Sequence, residues 1–282
     1  MAYLSDVDEA TGLFDAVRTQ QKGSELHDSY LSAKPFSHVV IDDFLPESLL
    51  ERCLCDFPSA SEAEYNFNRS QERFKRSYSP DSLGSASRQF FYSLNSQPFL
   101  QFIENVTGIK GLIPDPLYHG GGFHEIAQGG HLSVHADFNH HERLNLERRV
   151  NVLIYLNKDW KASYGGQLEL WDRNMTQCVK SYIPCFNRCV IFSTTSHNNH
   201  GNPQPVQHPD HQPRRSIALY YYTASWDRTR RSHTTQFKVR PRSGDRPDRE
   251  IRNQELLQDL FPPILLRQWM RLRKFRERRY SR

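Results

Sequence analysis

The pattern of apolar and polar residues changes character near Pro116. Before this point apolar residues recur at helical spacing, which predicts helices over 4–22, from Pro46 to about residue 56, and over 88–107 with a break near Pro98. A strand is predicted at 36–41, and a loop at 23–32. After Pro116 the residues alternate in short segments between turns, which predicts strands. The predicted strands are 117–127, 131–138, 149–156, 167–171, 178–183, 188–192 and 216–223.

Many short strands in succession are typical of a sandwich or jelly roll. We therefore divide the chain into an N-terminal support region (1–116), a β core (117–225) and a basic C-terminal extension (226–282). Residues 59–87 are polar and rich in Arg, Ser and Asn, which predicts a long loop. Loops of this length often cover binding sites, so this one is a candidate for substrate contact as well as for plain flexibility.

The strand predicted around His135 carries the clearest chemical signal. Side chains two apart on a strand project to one face, so His135 and Asp137 would offer a nitrogen and an oxygen ligand to one divalent ion. A His-x-Asp match is common by chance, and this chain holds a second one at 208–210. That second match lies among four prolines, where an ordinary central strand cannot form. The context therefore favours the first.

A third metal ligand should come from a later strand of the same β core. His200 is the best placed candidate, because it follows the apolar segment 189–192 by one loop and precedes the strand that starts at Arg214. His197 is the runner-up, and two further histidines at 208 and 211 are weaker candidates. Two histidines and one carboxylate on one face of a metal are the facial triad of non-haem Fe(II) oxygenases.

The strand that begins at Arg214 is apolar on both faces and is predicted to be central in its sheet. Arg214 and Ser216 share one face of it. A guanidinium holds a carboxylate through two parallel hydrogen bonds, so this face favours an anionic co-substrate.

Composition agrees with an ordinary folded catalytic domain. The chain has 282 residues, 37% of them hydrophobic, and a net charge of +5 that is concentrated in its last 60 or so residues. No recognition motif accompanies these basic residues, so no nucleic-acid partner is expected. Five cysteines without a zinc-binding spacing, no leader-like start and no apolar run of transmembrane length together predict a cytoplasmic location.

Four segments together resemble the prolyl 4-hydroxylase-like 2-oxoglutarate/Fe(II)-dependent dioxygenases. They are "HAD" at 135–137, "RRVNVLIYLNKDWKASYGGQLELW" at 148–171, "NHGNPQPV" at 199–206 and "RRSIALYYYT" at 214–223. Upstream, "VVIDDFLPESLL" at 39–50 is similar to the first strand and helix of that family. The likeness covers roughly residues 117–223, and the ordered combination is far more specific than any one motif.

The resemblance implies a fold that is mostly β with flanking helices (α+β), with a double-stranded β-helix (jelly roll, cupin-like) core and N-terminal helices packed on it. It implies Fe(II) bound by His135, Asp137 and His200. Arg214 and Tyr155 match the residues that hold the distal carboxylate of 2-oxoglutarate, although the spacing from the third histidine leaves Arg215 open as the alternative. By strand phase Asn151 shares the inward face with Tyr155. Ser216, Asn151 and His124 are further candidates for co-substrate or substrate contact, or for hydrogen-bonded core positions.

The implied activity is hydroxylation of an unactivated C–H bond in a prolyl, amino-acid-type or other small-molecule substrate. O₂ is the oxidant, succinate and CO₂ are released, and ascorbate is a further candidate requirement. The alternative function is a non-catalytic metal-binding jelly roll that acts as a sensor or scaffold. In the C-terminal extension Leu265, Trp269 and Leu272 form an apolar stripe on a predicted helix flanked by Arg and Lys. Docking of this helix on the core or in a homodimer is expected, and binding to an anionic surface is the rival.

Overall fold

The computed structural model describes residues 1–224 and 232–248 of the chain. Met1–Asp245 form one compact unit, which is the one described below; Arg246–Arg282 form a second. The predicted C-terminal helix with its apolar stripe lies outside the described residues, so it stays a prediction.

The described part of the chain contains five α-helices, all in the N-terminal region. The third confirms the helix predicted after Pro46, and the last two confirm the pair predicted with a break near Pro98, which lies in the first turn of the fifth helix. None of these helices has the length and apolar character that crossing a bilayer requires. The helices are α1 (Ala16–Glu25), α2 (His27–Ser32), α3 (Glu47–Cys55), α4 (Ser85–Ser93) and α5 (Gln97–Thr107).

The first helix begins later than the apolar spacing predicts. Asp15 is its N-cap, and its side chain accepts a hydrogen bond from the backbone N–H of Arg18. Before it, Val7 and Phe14 form an isolated antiparallel bridge around a turn in which Gly12 has φ +72°. The predicted loop over 23–32 is also wrong, because α1 extends to Glu25 and α2 occupies most of the remainder.

The strands form a curled, almost entirely antiparallel sheet, which confirms the predicted jelly roll with helices against one side. Its main path runs β1-β10-β7-β12-β5-β11-β8-β9. The strands are β1 (His38–Ile41), β2 (Tyr65–Phe67), β3 (Glu72–Tyr78), β4 (Ile113–Pro114), β5 (Gly122–Ala136), β6 (His140–His141), β7 (Leu146–Tyr155), β8 (Leu168–Trp171), β9 (Cys178–Tyr182), β10 (Cys189–Ser193), β11 (His200–Asn202), β12 (Arg214–Thr223) and β13 (Gln236–Phe237).

Strand β5 links the two halves of the roll. Its first half pairs with β12, where Ser216 lies opposite His124, and its second half pairs with β11, where His200 lies opposite His135. The two strands predicted at 117–127 and 131–138 are therefore one strand. Gly129, with φ +73°, lies between its halves and donates its N–H to the carbonyl of Val206.

Alternation along β7 separates the helix-facing core from the interior of the roll. Val150, Val152 and Ile154 belong to the large apolar cluster that also contains the helix residues, whereas Tyr155 packs with β8 and β10 inside the roll. Successive strand residues project to opposite faces, so Asn151 and Leu153 share the interior face with Tyr155. The polar interior of the roll thus lies directly behind its apolar, helix-covered face.

The long loop predicted over 59–87 is wrong. Strands β2 and β3 form an antiparallel hairpin there, and β3 pairs with β5 along most of its length. Charged side chains that look loop-like in sequence are paired: Arg76 with Glu125 at 2.8 Å, and Lys75 with Glu72 at 3.1 Å. The hairpin therefore forms part of the wall of the roll.

Candidate active site

The pairing of β5 with β11 brings two histidines together. His135 and His200 are register partners, and the centroids of their imidazole rings lie 4.6 Å apart. Both side chains are buried. Side chains directly opposite each other on antiparallel strands project to the same face, so the register alone accounts for this contact.

Asp137 follows β5 immediately and completes the cluster. Its Oδ1 lies 3.6 Å from Nε2 of His135, and its Oδ2 lies 3.4 Å from Nε2 of His200. Ligand atoms of the three side chains all lie within 4.8 Å of one another, and no other such group occurs in the part of the chain that the structure describes. Two imidazoles and one carboxylate are the donor set that suits Fe(II) with open coordination positions.

Backbone carbonyls select the tautomer of both histidines. Nδ1–H of His135 donates to the carbonyl of Ser133 at 2.8 Å, and Nδ1–H of His200 donates to the carbonyl of Asn198 at 3.1 Å. A neutral imidazole that donates from Nδ1 carries its lone pair on Nε2. The two Nε2 atoms that face Asp137 are therefore the ones available to a metal.

Electrostatics keep the cluster in the form that binds a cation. Burial raises the pKa of the Asp137 carboxyl, but the charge of Arg148 and the nearby His200 outweigh it and hold that pKa well below its usual range. Burial lowers the pKa of His200 to about 4, although Asp137 opposes the effect. A deprotonated carboxylate and a neutral imidazole are the states that metal ligation requires.

Arg148, which the sequence analysis did not single out, lies against this cluster. Its Nη2 is 3.3 Å from Asp137 Oδ2, and Asn151 Nδ2 donates to the same oxygen at 2.8 Å. Arg148 in turn donates from Nε and Nη2 to Asn151 Oδ1 at 3.1 and 2.7 Å. Both ends of the Asn151 amide are thus engaged, and its predicted contact with co-substrate or substrate stays a prediction.

A second polar group lies at the other end of the same interior face. Arg214 is buried, its Nε donates to the carbonyl of Gly166 at 2.7 Å, and no carboxylate among the described residues pairs with it. Its Cζ lies 4.9 Å from the ring centroid of Tyr155, whose buried hydroxyl has no hydrogen-bond partner among those residues. A buried cation beside an unpaired hydroxyl fits the distal carboxylate of 2-oxoglutarate.

Arg215 lies on the opposite face of β12. Its Nε pairs with Glu125 at 3.0 Å, and its guanidinium lies 4.3 Å from the ring centroid of Phe57. The alternation of β12 thus separates the two arginines that the spacing alone left open. Ser216 is buried on the same face as Arg214 and is the register partner of both His124 and Tyr155.

His124 lies on β5 opposite Ser216. Its Nε2–H donates to the carbonyl of Gly120 at 3.0 Å, which leaves the lone pair on Nδ1. Burial, together with the positive charges of Lys75 and Arg214, lowers the pKa of His124 to about 3. The ring is therefore neutral and offers a hydrogen-bond acceptor.

The other candidate histidines lie away from the cluster. His197 is exposed in the loop before β11, and His208 stacks against Tyr164 and Trp160 at 4.5 and 5.2 Å between ring centroids. His211 is exposed at a turn.

Two further segments lie beside the cluster: strand β13, which the sequence analysis did not assign to the site, and the segment 59–87, which it named as a candidate for substrate contact. Strand β13 pairs with β5 so that Phe237 is the register partner of His135, with 5.5 Å between their ring centroids. The guanidinium of Arg69, in the β2–β3 hairpin, lies 5.1 Å from the Phe237 ring centroid. Neither segment has a local motif that would reveal this placement, because the pairing partner is distant in sequence.

Comparison with known proteins gives one family and several structures. Residues 121–222 match the family described as the 2OG-Fe(II) oxygenase superfamily. A prolyl hydroxylase from Trichoplax adhaerens, solved with a hypoxia inducible factor peptide fragment, is 21% identical over 74% of this chain and 94% of its own, with a TM-score of 0.53. A prolyl-4-hydroxylase from Pseudomonas putida is 19% identical over 71% of this chain and 98% of its own, with a TM-score of 0.51. At these identities the two structures establish a common fold.

Proposed function

We propose that the chain is a 2OG-Fe(II) oxygenase, the superfamily whose model matches residues 121–222, and that His135, Asp137 and His200 bind its iron. The observation that carries the assignment is the cluster itself: three buried ligand atoms within 4.8 Å, with both Nε2 lone pairs directed inward. In this reading the side chains bind the metal on one face and leave the opposite positions open.

Fe(II) with bound 2-oxoglutarate and O₂ supplies the chemistry, which yields succinate and CO₂ and inserts one oxygen atom into an unactivated C–H bond. The residues of the chain bind and orient the reactants. Arg214 and Tyr155 hold the distal carboxylate of 2-oxoglutarate, with Ser216 beside them on the same face. The buried arginine without a carboxylate partner and the buried hydroxyl without a hydrogen bond support this assignment.

The substrate we propose is a prolyl or amino-acid-type group, with another small molecule as the alternative. The ring of Phe237 lies 5.5 Å from that of His135 between centroids, and an aromatic face suits the CH groups of a saturated ring. The Trichoplax adhaerens enzyme of the same fold was solved with a peptide. Succinate formation by the pure protein should rise when the right prolyl peptide or amino acid is added.

A panel of prolyl peptides, free proline and other amino acids tests this directly, with succinate and substrate mass as the two readouts. The product should gain about 16 Da, the mass of one oxygen atom. His135→Ala is the inactive control and His197→Ala the matched active one. If the metal-bound protein formed no succinate under any condition, the alternative function, a non-catalytic sensor or scaffold, would be favoured instead. A mass gain only on molecules other than amino acids would overturn the proposed substrate.

We also propose a homodimer formed through the C-terminal extension, although the predicted helix lies outside the described residues. The support is the apolar stripe of Leu265, Trp269 and Leu272, because an amphipathic helix is stable when its apolar face is buried against another surface. Truncation after Pro262 should lower the oligomeric state seen by light scattering, or the melting temperature if the helix docks on its own core. If the truncation left the oligomeric state and the melting temperature unchanged but abolished binding to anionic vesicles, binding to an anionic surface would replace the homodimer as the proposed role.

A cytoplasmic location is proposed from the state of the cysteines. All five are free, and two of them are exposed. Exposed thiols persist in reducing compartments and are oxidised outside them. Fractionation of cells that express the full chain tests the location.

A further inference from the structure

Arg148 is a buried cation in contact with the carboxylate of the proposed metal cluster. Its side chain is about 1% exposed, and its Nη2 lies 3.3 Å from Oδ2 of Asp137. Asn151 donates to the same Oδ2 at 2.8 Å and is itself held by two hydrogen bonds from Arg148. The three side chains form a closed triangle in which each contacts the other two.

Two aromatic rings, nearly perpendicular to each other, pack against the guanidinium. Its Cζ lies 3.5 Å from the ring centroid of Tyr220 and 4.3 Å from that of Phe138. The hydroxyl of Tyr220 donates to the carbonyl of Gly120 at 2.9 Å, which anchors that ring to the backbone. A planar cation in contact with two rings is restricted in position and orientation, as an ammonium group would not be.

The consequence for Asp137 is an asymmetry between its two oxygens. Oδ2 accepts from Asn151 and contacts Arg148, whereas Oδ1 has no hydrogen-bond donor among the described residues. Nε2 of His135 lies 3.6 Å from Oδ1 and Nε2 of His200 lies 3.4 Å from Oδ2, so both oxygens lie against the cluster. Oδ1 is the oxygen that accepts no hydrogen bond from the described residues and is the one left for a cation.

We propose that Arg148 and Asn151 are positioning residues that hold Asp137 by Oδ2 and present Oδ1 alone to the iron. The inference rests on the proposed function, since it takes His135, Asp137 and His200 as the metal ligands. A carboxylate bound through one oxygen uses one coordination position, which keeps the remaining positions open for 2-oxoglutarate and O₂. Groups that orient metal ligands in this way commonly change metal affinity ten- to a hundredfold when removed, on the order of 1.4 to 2.8 kcal/mol.

Arg148 could act by orienting Asp137 or only by neutralising its charge. Substitutions at residues 148 and 151 distinguish these two roles. Arg148→Lys keeps the positive charge but cannot bond Asn151 and Asp137 in the same planar arrangement. Asn151→Ala keeps Arg148 and removes the shorter hydrogen bond to Oδ2. If orientation matters, both variants are impaired. If only neutralisation of the buried carboxylate matters, Arg148→Lys behaves like the wild type and Arg148→Met does not.

The probe is Co(II) alone, added to the metal-free full-length protein, with the visible d–d spectrum and a competition titration as readouts. We expect Arg148→Lys and Asn151→Ala each to weaken Co(II) binding by about ten- to a hundredfold and to alter the spectrum. The double variant should be no weaker than the weaker single variant, because the two residues act as a unit. Arg149→Lys, on the opposite face of the same strand, is the matched control and should bind like the wild type.

The outcomes that overturn the proposal are distinct from a failure of the proposed function. Wild-type affinity and spectrum in both Arg148→Lys and Asn151→Ala refute the positioning role, and so does impairment of Arg148→Met alone. If the metal ligands themselves are wrong, His135→Ala will leave the wild-type Co(II) spectrum unchanged. Melting temperatures of the metal-free proteins report folding, and Asn151→Ala keeps the test available should Arg148→Lys not fold.

Discussion

The side chain of Arg214 packs so closely against Gly166 that residue 166 has no space for a side chain. A Cβ at residue 166 would lie 2.9 Å from Cδ of Arg214 and 3.4 Å from Val206, and the glycine has φ +70°. The carbonyl of Gly166 also accepts the hydrogen bond from Arg214 Nε. This glycine therefore sets where the guanidinium proposed to bind 2-oxoglutarate lies.

Gly166→Ala should weaken 2-oxoglutarate binding by tenfold or more while leaving Co(II) binding intact, because the added methyl displaces Arg214 but not the metal cluster. Gly111→Ala is a matched control: its φ is +72°, so the backbone strain is the same, but nothing lies within 4 Å of its Cβ. Titration with Co(II), followed by titration of the Co(II)-loaded protein with 2-oxoglutarate, measures the two affinities in each variant. Equal effects of the two substitutions would show that strain, rather than displacement of Arg214, is responsible.

Arg214→Met should raise the 2-oxoglutarate dissociation constant by about 30- to 150-fold, since a buried charged hydrogen-bond pair contributes roughly 2–3 kcal/mol. Metal affinity should not change. Arg215→Met removes an arginine of the other face, which pairs with Glu125, and should alter thermal stability more than co-substrate binding. The reverse result would assign the co-substrate to Arg215.

His135→Ala, Asp137→Ala and His200→Ala should each abolish 2-oxoglutarate decarboxylation, because a metal held by two protein ligands is weakly bound. Succinate release and bound iron, measured on the same samples, should fall together. His197→Ala, in the exposed loop before β11, should retain both. Activity that survives in His200→Ala and is lost in His197→Ala would transfer the third ligand to His197.

The metal-free protein should lose stability as the pH falls below about 6.5 because of His124. Its pKa is lowered in the folded state to about 3 from an ordinary value of 6.5, so the unfolded state binds the proton first and is favoured as pH falls. His124 should contribute about 1–2 kcal/mol of the loss between pH 7 and pH 5, measured by urea unfolding, and His200, with its pKa lowered to about 4, should add to it. His124→Gln should reduce this loss, and His197→Gln, an exposed control, should not. Equal pH dependence in all three proteins would contradict the assignment.

Strand phase was accessible from the sequence for a particular physical reason. The alternation around His135 predicts that Asp137 shares its face, and the structure brings both together with His200. The alternation of β12 separates Arg214 from Arg215, and the structure agrees. In each case the information is local, because neighbouring side chains on a strand must project to opposite faces. The roles of these residues as ligands remain proposals.

Tertiary structure decided what depends on partners distant in the chain. The β2–β3 hairpin looked like a loop because its charged residues have no local apolar pattern; they are matched by Glu125, nearly 50 residues away, and by pairing with β5. Strict alternation from Asn151 would put Arg149 on the interior face, but the register shift of β7 against β12 skips that residue and places Arg148 against Asp137 instead. Phe237 reaches His135 through a strand pairing across about 100 residues. The sequence determines each face of a strand by itself, but which faces meet depends on the free energy of the whole packed roll.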